Sequence, residues 1–365
     1  MRRDTPTSSR KRDHLEICYE KPVEAGDAGF EDVRLVHNAI PECDMDAIEL
    51  KTRFLDATVD SPLFIAAMTG GHPDTLEVNR RLARAAERYN LGMGVGSQRA
   101  ALENPELEGS FTVVREEAPH AFLCANLGII QLRDHGIEWA ERAVEMIDAQ
   151  AIAIHVNLLQ EAIQPEGDHS AVGCLEALRN LCEEFPRPVI VKETGSGISA
   201  GTARKIFGAG ASAIDIGGYG GTSWAKIERL RATAPELAEL GEAFVSWGIP
   251  TVVSLCEVRT TGGPIIATGG LRSGIDIAKA LALGADLGGM ALPLLKPAME
   301  SEEALSATIE GIHRHLRVAM FLTGSRTIAD LRQTRTYITG LTRQMIESSD
   351  KTKEPYKEAT WILRS

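Results

Sequence analysis

Eight short apolar runs recur between residues 62 and 292 of this 365-residue chain, and amphipathic stretches separate them. Continuous apolar strands that alternate with helices indicate a parallel sheet covered on both faces. Eight such units in succession predict an α/β fold, a closed (β/α)₈ TIM barrel. The predicted strands are Pro62–Ala67, Met93–Gly96, Phe122–Asn126, Ala151–Asn157, Val189–Glu193, Ala213–Gly217, Ile265–Thr268 and Leu287–Leu292.

One further segment, Pro250–Ser254, has an apolar centre that is also typical of a strand and would raise the number of strands to nine. We expect it instead to begin the helix before the seventh strand. Proline is favoured near the first helical position, and Glu257–Arg259 continue a helical sequence. If the segment were a strand, a doubly wound sheet would be the alternative.

The segments outside the repeating units divide the chain into three predicted parts. Residues 1–58 form an N-terminal arm and a barrel-floor segment, in which Val33–Val36 is expected to form a cap or an extra hairpin. Residues 59–345 form the barrel with a C-terminal helical extension. Residues 346–365 form a C-terminal tail.

Charge and composition exclude several classes of partner. The formal net charge of -12 argues against a nucleic-acid partner, because such a surface repels phosphates. The six cysteines have no C-x-x-C or zinc-ligand spacing, which predicts reduced thiols. Neither a secretory signal nor a bilayer-spanning run is visible, so we expect a cytoplasmic protein without a membrane partner.

Polar residues and glycines follow every predicted strand, at the end where a barrel carries its active site. One such position alone is usually a turn or a helix cap. All eight together favour a functional site at the barrel mouth. The segments are Met68–Gly71, Gly96–Arg99, Asn126–Gly128, His155–Glu161, Lys192–Gly195, Gly217–Thr222, Gly269–Arg272 and Ala291–Leu292.

The turn after the seventh strand predicts a phosphate site. Gly269 and Gly270 let the backbone approach a phosphate without a Cβ in the way. Ser273 and Gly274 open a helix whose free N–H groups and positive dipole end would face the same point. The backbone amides of 291–292 would close the other side. These features predict a phosphate-bearing cofactor, with FMN as the candidate.

Lys192 lies at the end of the fifth strand, where a structural lysine would need a charge partner. Glu193 points to the opposite face of the strand and does not supply one. Because an unpaired buried ammonium is costly, we expect a functional lysine that stabilises an anionic reduced flavin.

The least generic cluster follows the fourth strand, as His155-x-Asn157-x-x-Gln160-Glu161. His155 and Asn157 share one strand face, which points into the barrel mouth. Glu161 is a candidate Mg²⁺ ligand alongside substrate phosphates. Gln160 and Glu161 would also suit the start of a solvated loop.

A basic motif, Arg10-Lys11-x-x-His14, lies in the N-terminal arm, away from the repeating units. It predicts either a solvated basic segment that leads into a helix or a flap that carries cations to a diphosphate. The spacing alone does not decide between the two.

Together, these motifs resemble the type 2 isopentenyl-diphosphate delta-isomerases, a family of FMN-dependent barrels, over nearly the whole chain. The strand-seven motif is shared by many FMN barrels, whereas the full set is specific. The resemblance is carried by Arg10–His14, Met68–Gly71, Gly94–Arg99, Ala125–Gly128, His155–Asn157, Gln160–Glu161, Gln164–Gly167, Val191–Glu193, Gly220–Thr222, Gly270–Gly274 and Leu322–Ser325.

The resemblance implies the isomerisation of isopentenyl diphosphate to dimethylallyl diphosphate in isoprenoid biosynthesis. It implies reduced FMN as acid and base, Mg²⁺, NADPH as the reductant, and a homo-oligomer, either a tetramer or an octamer. The implied FMN contacts are Met68, Thr69, Gly70, Ser97, Asn126, Lys192, Thr222, Gly270, Leu271, Arg272, Ala291 and Leu292. The implied substrate contacts are Arg10, Lys11, His14, Ser97, Arg99, His155, Asn157 and Gln160, of which the last three are the catalytic candidates, with Glu161 on the metal.

The chain departs from the family after the sixth strand. The family usually has serine there, followed by Gly-Gln-Gly-Gly-Thr, whereas this chain has Gly217 and, in place of the glutamine, Tyr219. A hydroxyl contact to the flavin is therefore lost, which bears on flavin affinity or redox potential rather than on the reaction.

Two other functions are distinguishable from the isomerase. An FMN oxidoreductase related to the 2-hydroxy-acid oxidases would need an arginine pair and a catalytic histidine after the later strands, whereas this chain has Arg272 but no histidine on strands six to eight. A flavin-binding or phosphate-binding protein without chemistry should lack both the basic arm and the Gln160-Glu161 pair, and both are present.

Overall fold

The structure is a computed structural model that describes residues 6–351, with side chains from residue 11 to residue 349. The side chain of Arg10, a predicted substrate contact, lies outside the described residues. So does the part of the predicted tail beyond residue 351.

The described residues form twelve β-strands, of which β4 to β11 close into a parallel barrel in chain order. Every predicted strand overlaps one barrel strand, so the (β/α)₈ prediction is confirmed with small differences at the ends. The strands are β1 (Val33–Leu35), β2 (Thr52–Phe54), β3 (Ala57–Val59), β4 (Leu63–Ile65), β5 (Gly92–Gly94), β6 (Leu123–Gly128), β7 (Ala151–Val156), β8 (Val189–Glu193), β9 (Ala213–Asp215), β10 (Ile265–Ala267), β11 (Leu287–Met290) and β12 (Thr336–Ile338).

Within residues 6–351, sixteen α-helices surround or extend the barrel. Pro250 is the N-cap of the helix before β10, so the ninth-strand alternative is wrong. The helices are α1 (Pro6–Glu20), α2 (Leu76–Arg88), α3 (Arg99–Glu103), α4 (Gly109–Glu117), α5 (Ile129–Ile147), α6 (Leu158–Ile163), α7 (Cys174–Glu184), α8 (Ala200–Gly208), α9 (Trp224–Arg231), α10 (Pro235–Ala243), α11 (Thr251–Arg259), α12 (Gly274–Ala282), α13 (Leu292–Glu300), α14 (Glu302–Thr323), α15 (Ile328–Leu331) and α16 (Gly340–Lys351). Helix α16 spans the boundary predicted after residue 345.

Apolar side chains of both small and large size fill the barrel, because alternate strand residues face inward. Ala151, Ala153 and Ala213 share one buried cluster with Phe54 of the β2–β3 hairpin. Phe54 packs edge-on against Phe122, with ring centroids 6.1 Å apart. This hairpin therefore closes the barrel at the end opposite the strand C-termini.

The strand predicted within 33–36 has a different partner from the one expected. β1 pairs antiparallel with β12, and Val33 lies opposite Ile338. Val33–Val36 therefore forms no hairpin of its own, because its partner strand comes from the other end of the chain, whereas β2 and β3 of the same N-terminal segment do pair as a hairpin.

Helix α1 lies across the barrel mouth and contacts α9 and α13 of its own chain. Leu15 of α1 is buried in the main hydrophobic core, and Lys11, His14 and Cys18 line the same cleft as the strand ends. The described part of the arm is thus a docked helix over the mouth, which agrees with a flap and not with a solvated segment.

Two expectations from composition can also be compared with the described residues. All six cysteines are free thiols there, as their spacing predicts. Across residues 6–351, none of the helices combines the length and the apolar character that crossing a membrane requires.

Candidate active site

One cleft at the C-terminal ends of the barrel strands gathers nearly all the predicted site residues. Its empty volume is about 1630 Å³, part of which is open solvent. Every predicted site residue with a described side chain lines it except Gly70. Gly70 has a φ of 143°, and a Cβ built on it would lie 2.1 Å from the ring of Phe111. Gly70 therefore supports the wall from behind.

The wall at the end of β10 consists of closely packed backbone. Gly269 and Gly270 have φ values of 102° and 77°. A Cβ on Gly269 would lie 2.1 Å from the carbonyl oxygen of Gly218, and one on Gly270 would lie 2.4 Å from that of Gly220. Only glycine fits both positions, so the wall presents bare peptide groups to a ligand.

The donors available on this wall differ from those expected. Ser273 and Asp276 form a capping box, and the Asp276 carboxylate accepts the N–H groups of Arg272 and Ser273 at 3.0 Å. The expectation that the start of α12 offers its free N–H groups is therefore wrong for these two residues. In the described part of the chain no acceptor is found for the N–H groups of Gly270 and Leu271, which suit a phosphate better.

Of the two residues that depart from the family pattern after β9, Gly217 lines the cleft and Tyr219 does not. A Cβ on Gly26 would lie 2.1 Å from the ring of Tyr219, so this ring packs under the segment that follows α1. A Cβ on Gly217 would lie 2.0 Å from the carbonyl oxygen of Glu193. This backbone leaves no room for a serine side chain, which explains the glycine at this position.

His155 is oriented by a neighbouring amide. Asn126 donates from Nδ2 to the carbonyl oxygen of Val95 at 2.9 Å, so its Oδ1 faces His155 Nδ1 at 2.8 Å. Because an amide oxygen only accepts, Nδ1 carries the proton. Nε2, the other ring nitrogen, lies beside Gly128.

Lys192 has the partner that the sequence reasoning did not find. Its Nζ lies 3.0 Å from Asp215 Oδ2 and donates to the carbonyl oxygen of Glu193 at 3.1 Å. The expectation of an unpaired ammonium is therefore wrong. Inward-facing positions alternate along β9, from Ala213 to Asp215, and this register could have indicated the pair.

The carboxyl group of Glu193 is a separate feature. It accepts backbone N–H groups of Gly195, at 2.6 Å, and of Ser196. Burial nevertheless raises the pKa of Glu193 to about 7, because desolvation penalises the charged form more than these donors stabilise it. Glu193 thus stabilises the turn after β8 and does not line the cleft.

Gln160 is held by a buried carboxylate that sequence reasoning missed. Its Nε2 donates to Glu228 Oε1 at 2.7 Å, and its Oε1 accepts from Asn157 Nδ2 at 3.3 Å. The amide cannot flip without facing oxygen to oxygen. One N–H and one lone pair of Gln160 remain for the cleft that it lines.

Glu228 also anchors the arm. Its Oε1 lies 3.1 Å from His14 Nε2, and its Oε2 accepts from Arg231 at 2.5 Å. Burial opposes ionisation, but the hydrogen bond and charge of His14, the bond from Gln160 and the charge of Arg231 lower its pKa to about 2. The ring of His14 meets Trp224 edge-on at 5.0 Å. Helix α1, α9 and Gln160 are thus joined through one carboxylate.

Glu161 is the remaining side chain with metal-binding chemistry at the end of β7. Its Oε1 accepts from Asn157 Nδ2 and its Oε2 from the N–H of Asp168, each at 2.9 Å. No cluster of three or more histidine, cysteine or carboxylate ligands is found among the described residues. A divalent ion here would need most of its ligands from a bound substrate.

Comparison with known sequences identifies the family. A sequence model of the FMN-dependent dehydrogenase family matches residues 133–338. An isopentenyl-diphosphate delta-isomerase from Methanoregula boonei is 65% identical over 349 residues, which cover 94% of this chain and 97% of the relative. The chain belongs to this isomerase family. A member from Archaeoglobus fulgidus is 50% identical over 341 residues, 93% of this chain and 99% of the relative.

The family assignment confirms the resemblance that the motifs carry, and the chain is therefore an isomerase on an FMN-dependent dehydrogenase barrel. Solved structures show the same barrel. The lactate oxidase of Pediococcus acidilactici aligns with a TM-score of 0.64 at 18% identity, over 90% of this chain and 87% of that one. A flavocytochrome b2 variant with pyruvate bound gives 0.65 at 17% identity, over 88% and 81%. At these identities the likeness concerns the fold alone.

The histidines of the cleft separate this chain from the oxidase alternative. Among the described residues that line the cleft, the histidines are His14 on α1 and His155 on β7. The oxidase alternative requires a histidine after the later strands. In the described part of the cleft, therefore, no histidine follows the later strands.

Proposed function

We propose that this chain converts isopentenyl diphosphate to dimethylallyl diphosphate, with reduced FMN, Mg²⁺ and NADPH as the reductant. The observation that carries the proposal is one cleft with two unlike walls. Bare peptide groups at Gly269 and Gly270 form one wall, and His155, Asn157 and Gln160 form the other. The reaction adds a proton at C4 of the substrate and removes one from C2, without net oxidation.

The residues present fit FMN. A phosphate would be held by the N–H groups at 270–271 and 291–292, where a Cβ on either glycine of the turn would collide with backbone. The ammonium of Lys192 at the cleft floor and the side chains of Asn126 and Thr222 would contact the ring. When bound in reduced form, FMN would supply an acid and a base at its N5 edge.

Side chains at the end of β7 would orient the five-carbon unit. Gln160 is fixed by Glu228 and Asn157, so it would present one N–H and one acceptor at constant positions. Holding the alkene in one orientation removes rotational freedom before proton transfer, which is a large part of many rate enhancements. We assign Gln160 this positioning role together with a proton-relay role.

Cationic side chains would hold the diphosphate. Lys11 and His14 on α1, Arg99 on α3, and His155 on β7 all line the cleft. Glu161 would add a carboxylate to a Mg²⁺ ion whose other ligands are diphosphate oxygens and water. Arg10 would act with Lys11. The homo-oligomeric state stays a prediction.

Product formation tests the function directly. Protein, FMN, NADPH, Mg²⁺ and isopentenyl diphosphate are incubated without oxygen, and the methyl signals of the product are followed by NMR. We expect a second methyl signal to grow with time, and no growth when FMN is omitted. A stable substrate spectrum with the flavin reduced would contradict the proposal.

A further inference from the structure

The floor of the cleft carries an ion pair where the apolar interior of the barrel ends. Lys192 Nζ lies 3.0 Å from Asp215 Oδ2, and the two side chains are 12% and 3% exposed. The two residues are register partners on β8 and β9. The sheet itself therefore places the carboxylate beside the ammonium.

The second carboxylate oxygen is fixed as well. The hydroxyl of Thr268 donates to Asp215 Oδ1 and accepts from the N–H of Gly217 at 3.0 Å. This hydroxyl has one proton, and the contact with Gly217 directs that proton to Asp215. Each carboxylate oxygen of Asp215 is thus held by a residue of a neighbouring strand or of the turn after it, Oδ2 by Lys192 and Oδ1 by Thr268. The carboxylate cannot move away from Lys192 without breaking its hydrogen bond with Thr268.

The pair has a consequence for any flavin above it. An ammonium under the ring stabilises the anionic reduced form, which raises the reduction potential. A carboxylate 3.0 Å from that ammonium opposes the same field, and in a poorly screened site the opposition is strong. Lys192 therefore acts on the ring as one end of a dipole and not as a full positive charge.

We propose that Asp215 is a positioning residue that holds Lys192 under the flavin and cancels most of its charge. The reduced flavin then keeps a low reduction potential and holds the proton at N1 more strongly than it would above an unbalanced lysine. This inference rests on the proposed function, because it requires FMN above Lys192. It suits a reaction that takes no net electrons from the ring but needs exchangeable protons on it.

The midpoint potential of bound FMN, measured without any isoprenoid substrate, tests the inference. Asp215→Asn should raise the affinity for reduced FMN, relative to that for oxidised FMN, about tenfold. This corresponds to an upward shift of the midpoint potential by about 30 mV for a two-electron couple. Lys192→Met should move the potential downward by a similar amount. The double variant should return close to the wild type, because both charges are removed together.

A matched control lies at the other end of the barrel. Asp286 pairs with Arg332 at 2.7 Å and accepts the N–H of Ile265 at 2.8 Å. Asp286→Asn removes a paired carboxylate of the same type, far from the cleft along the strands. Its flavin potential should equal that of the wild type.

The outcomes separate this inference from the proposed function. An unchanged or lowered potential in Asp215→Asn overturns it, as do shifts of equal sign in the two single variants. If Asp215→Asn does not fold, Lys192→Met and the double variant provide the test. The double variant is expected to fold, because the loss of both charges leaves no unpaired buried ion. A double variant that stays as low as Lys192→Met then overturns the inference. A wild type that binds no FMN overturns both ideas, whereas predicted shifts without isomerisation overturn the function alone.

Discussion

The two walls of the cleft are made of different chemical groups. At the end of β10, backbone at Gly269 and Gly270 forms the surface, and each side-chain-free position is enforced by a neighbouring carbonyl. At the end of β7, His155, Asn157 and Gln160 form the surface, and each is oriented by another side chain. A backbone wall recognises a phosphate whatever chemistry follows, whereas oriented side chains suit one substrate. The likeness to lactate oxidase concerns the barrel that carries both walls, not the walls themselves.

The largest expected effect comes from the side-chain wall. Gln160→Ala should lower kcat by about 10³-fold, since a positioned proton-transfer group typically contributes 10²–10⁴. FMN affinity should stay at the wild-type value, because the residue belongs to the other wall. Steady-state kinetics and flavin titration measure the two quantities. Exposed Gln333→Ala is the control, and an unchanged kcat in Gln160→Ala would rule out the assigned role.

The backbone wall should respond in the opposite way. Gly269→Ala places a Cβ 2.1 Å from the carbonyl oxygen of Gly218 at a φ of 102°. We expect FMN to bind about 100-fold more weakly, because the strain of such a site amounts to a few kcal/mol. Fluorescence titration gives the dissociation constant. Gly311→Ala, where a Cβ meets open space on α14, should bind FMN normally, and equal affinities in all three proteins would refute the glycine argument.

The carboxylate beneath the side-chain wall should show in the pH dependence of stability. The pKa of Glu228 falls from an ordinary 4.5 to about 2 on folding. Its stabilisation is therefore present above about pH 4.5 and is lost as the pH falls towards 2. Glu228→Gln should cost at most on the order of 3 kcal/mol at pH 7, and the difference should disappear at low pH.

Urea unfolding at several pH values measures this difference. Exposed Glu242→Gln, whose carboxylate pairs with Arg229 at 2.9 Å, is the matched control and should change little. A constant gap between Glu228→Gln and the wild type from pH 7 to pH 3 would contradict the linkage.

The smallest expected effect comes from the arm. Lys11→Met should raise KM for the diphosphate about fivefold with a smaller change in kcat, because a partly screened cation contributes about 1 kcal/mol to binding an anion. Initial-rate measurements at low and high salt check this, since added salt should shrink the gap. Lys21→Met, just past α1 beside Glu20, is the control. An equal rise in both variants would mean that the arm acts only through its net charge.

The barrel was predictable because eight apolar runs are local signals, and each recurs as a strand. The glycine wall was predictable for the same reason, since Gly269 and Gly270 adjoin in sequence. The partners of the functional side chains were not. Glu228 meets Gln160 across 68 residues, and Asp215 meets Lys192 from the next strand.

Strand register accounts for the Lys192–Asp215 contact, and helix packing accounts for the Gln160–Glu228 contact. Asp215 occupies an inward position on β9, which a strand-by-strand alternation count predicts. Glu228 lies on α9, whose rotation is fixed by packing against α10, α6 and α1. The position of Tyr219 also depends on a contact between distant parts of the chain. Its ring packs against the segment at Gly26 and does not line the cleft.

On the proposed function, this barrel carries out an isomerisation without net redox chemistry. The most direct measurement counts product molecules per NADPH oxidised, without oxygen, in D₂O with FMN, Mg²⁺ and isopentenyl diphosphate. We predict many molecules of dimethylallyl diphosphate for each NADPH, with deuterium in the new methyl group. Consumption of one NADPH per product molecule, or a product without solvent deuterium, would contradict an isomerisation in which the flavin only exchanges protons.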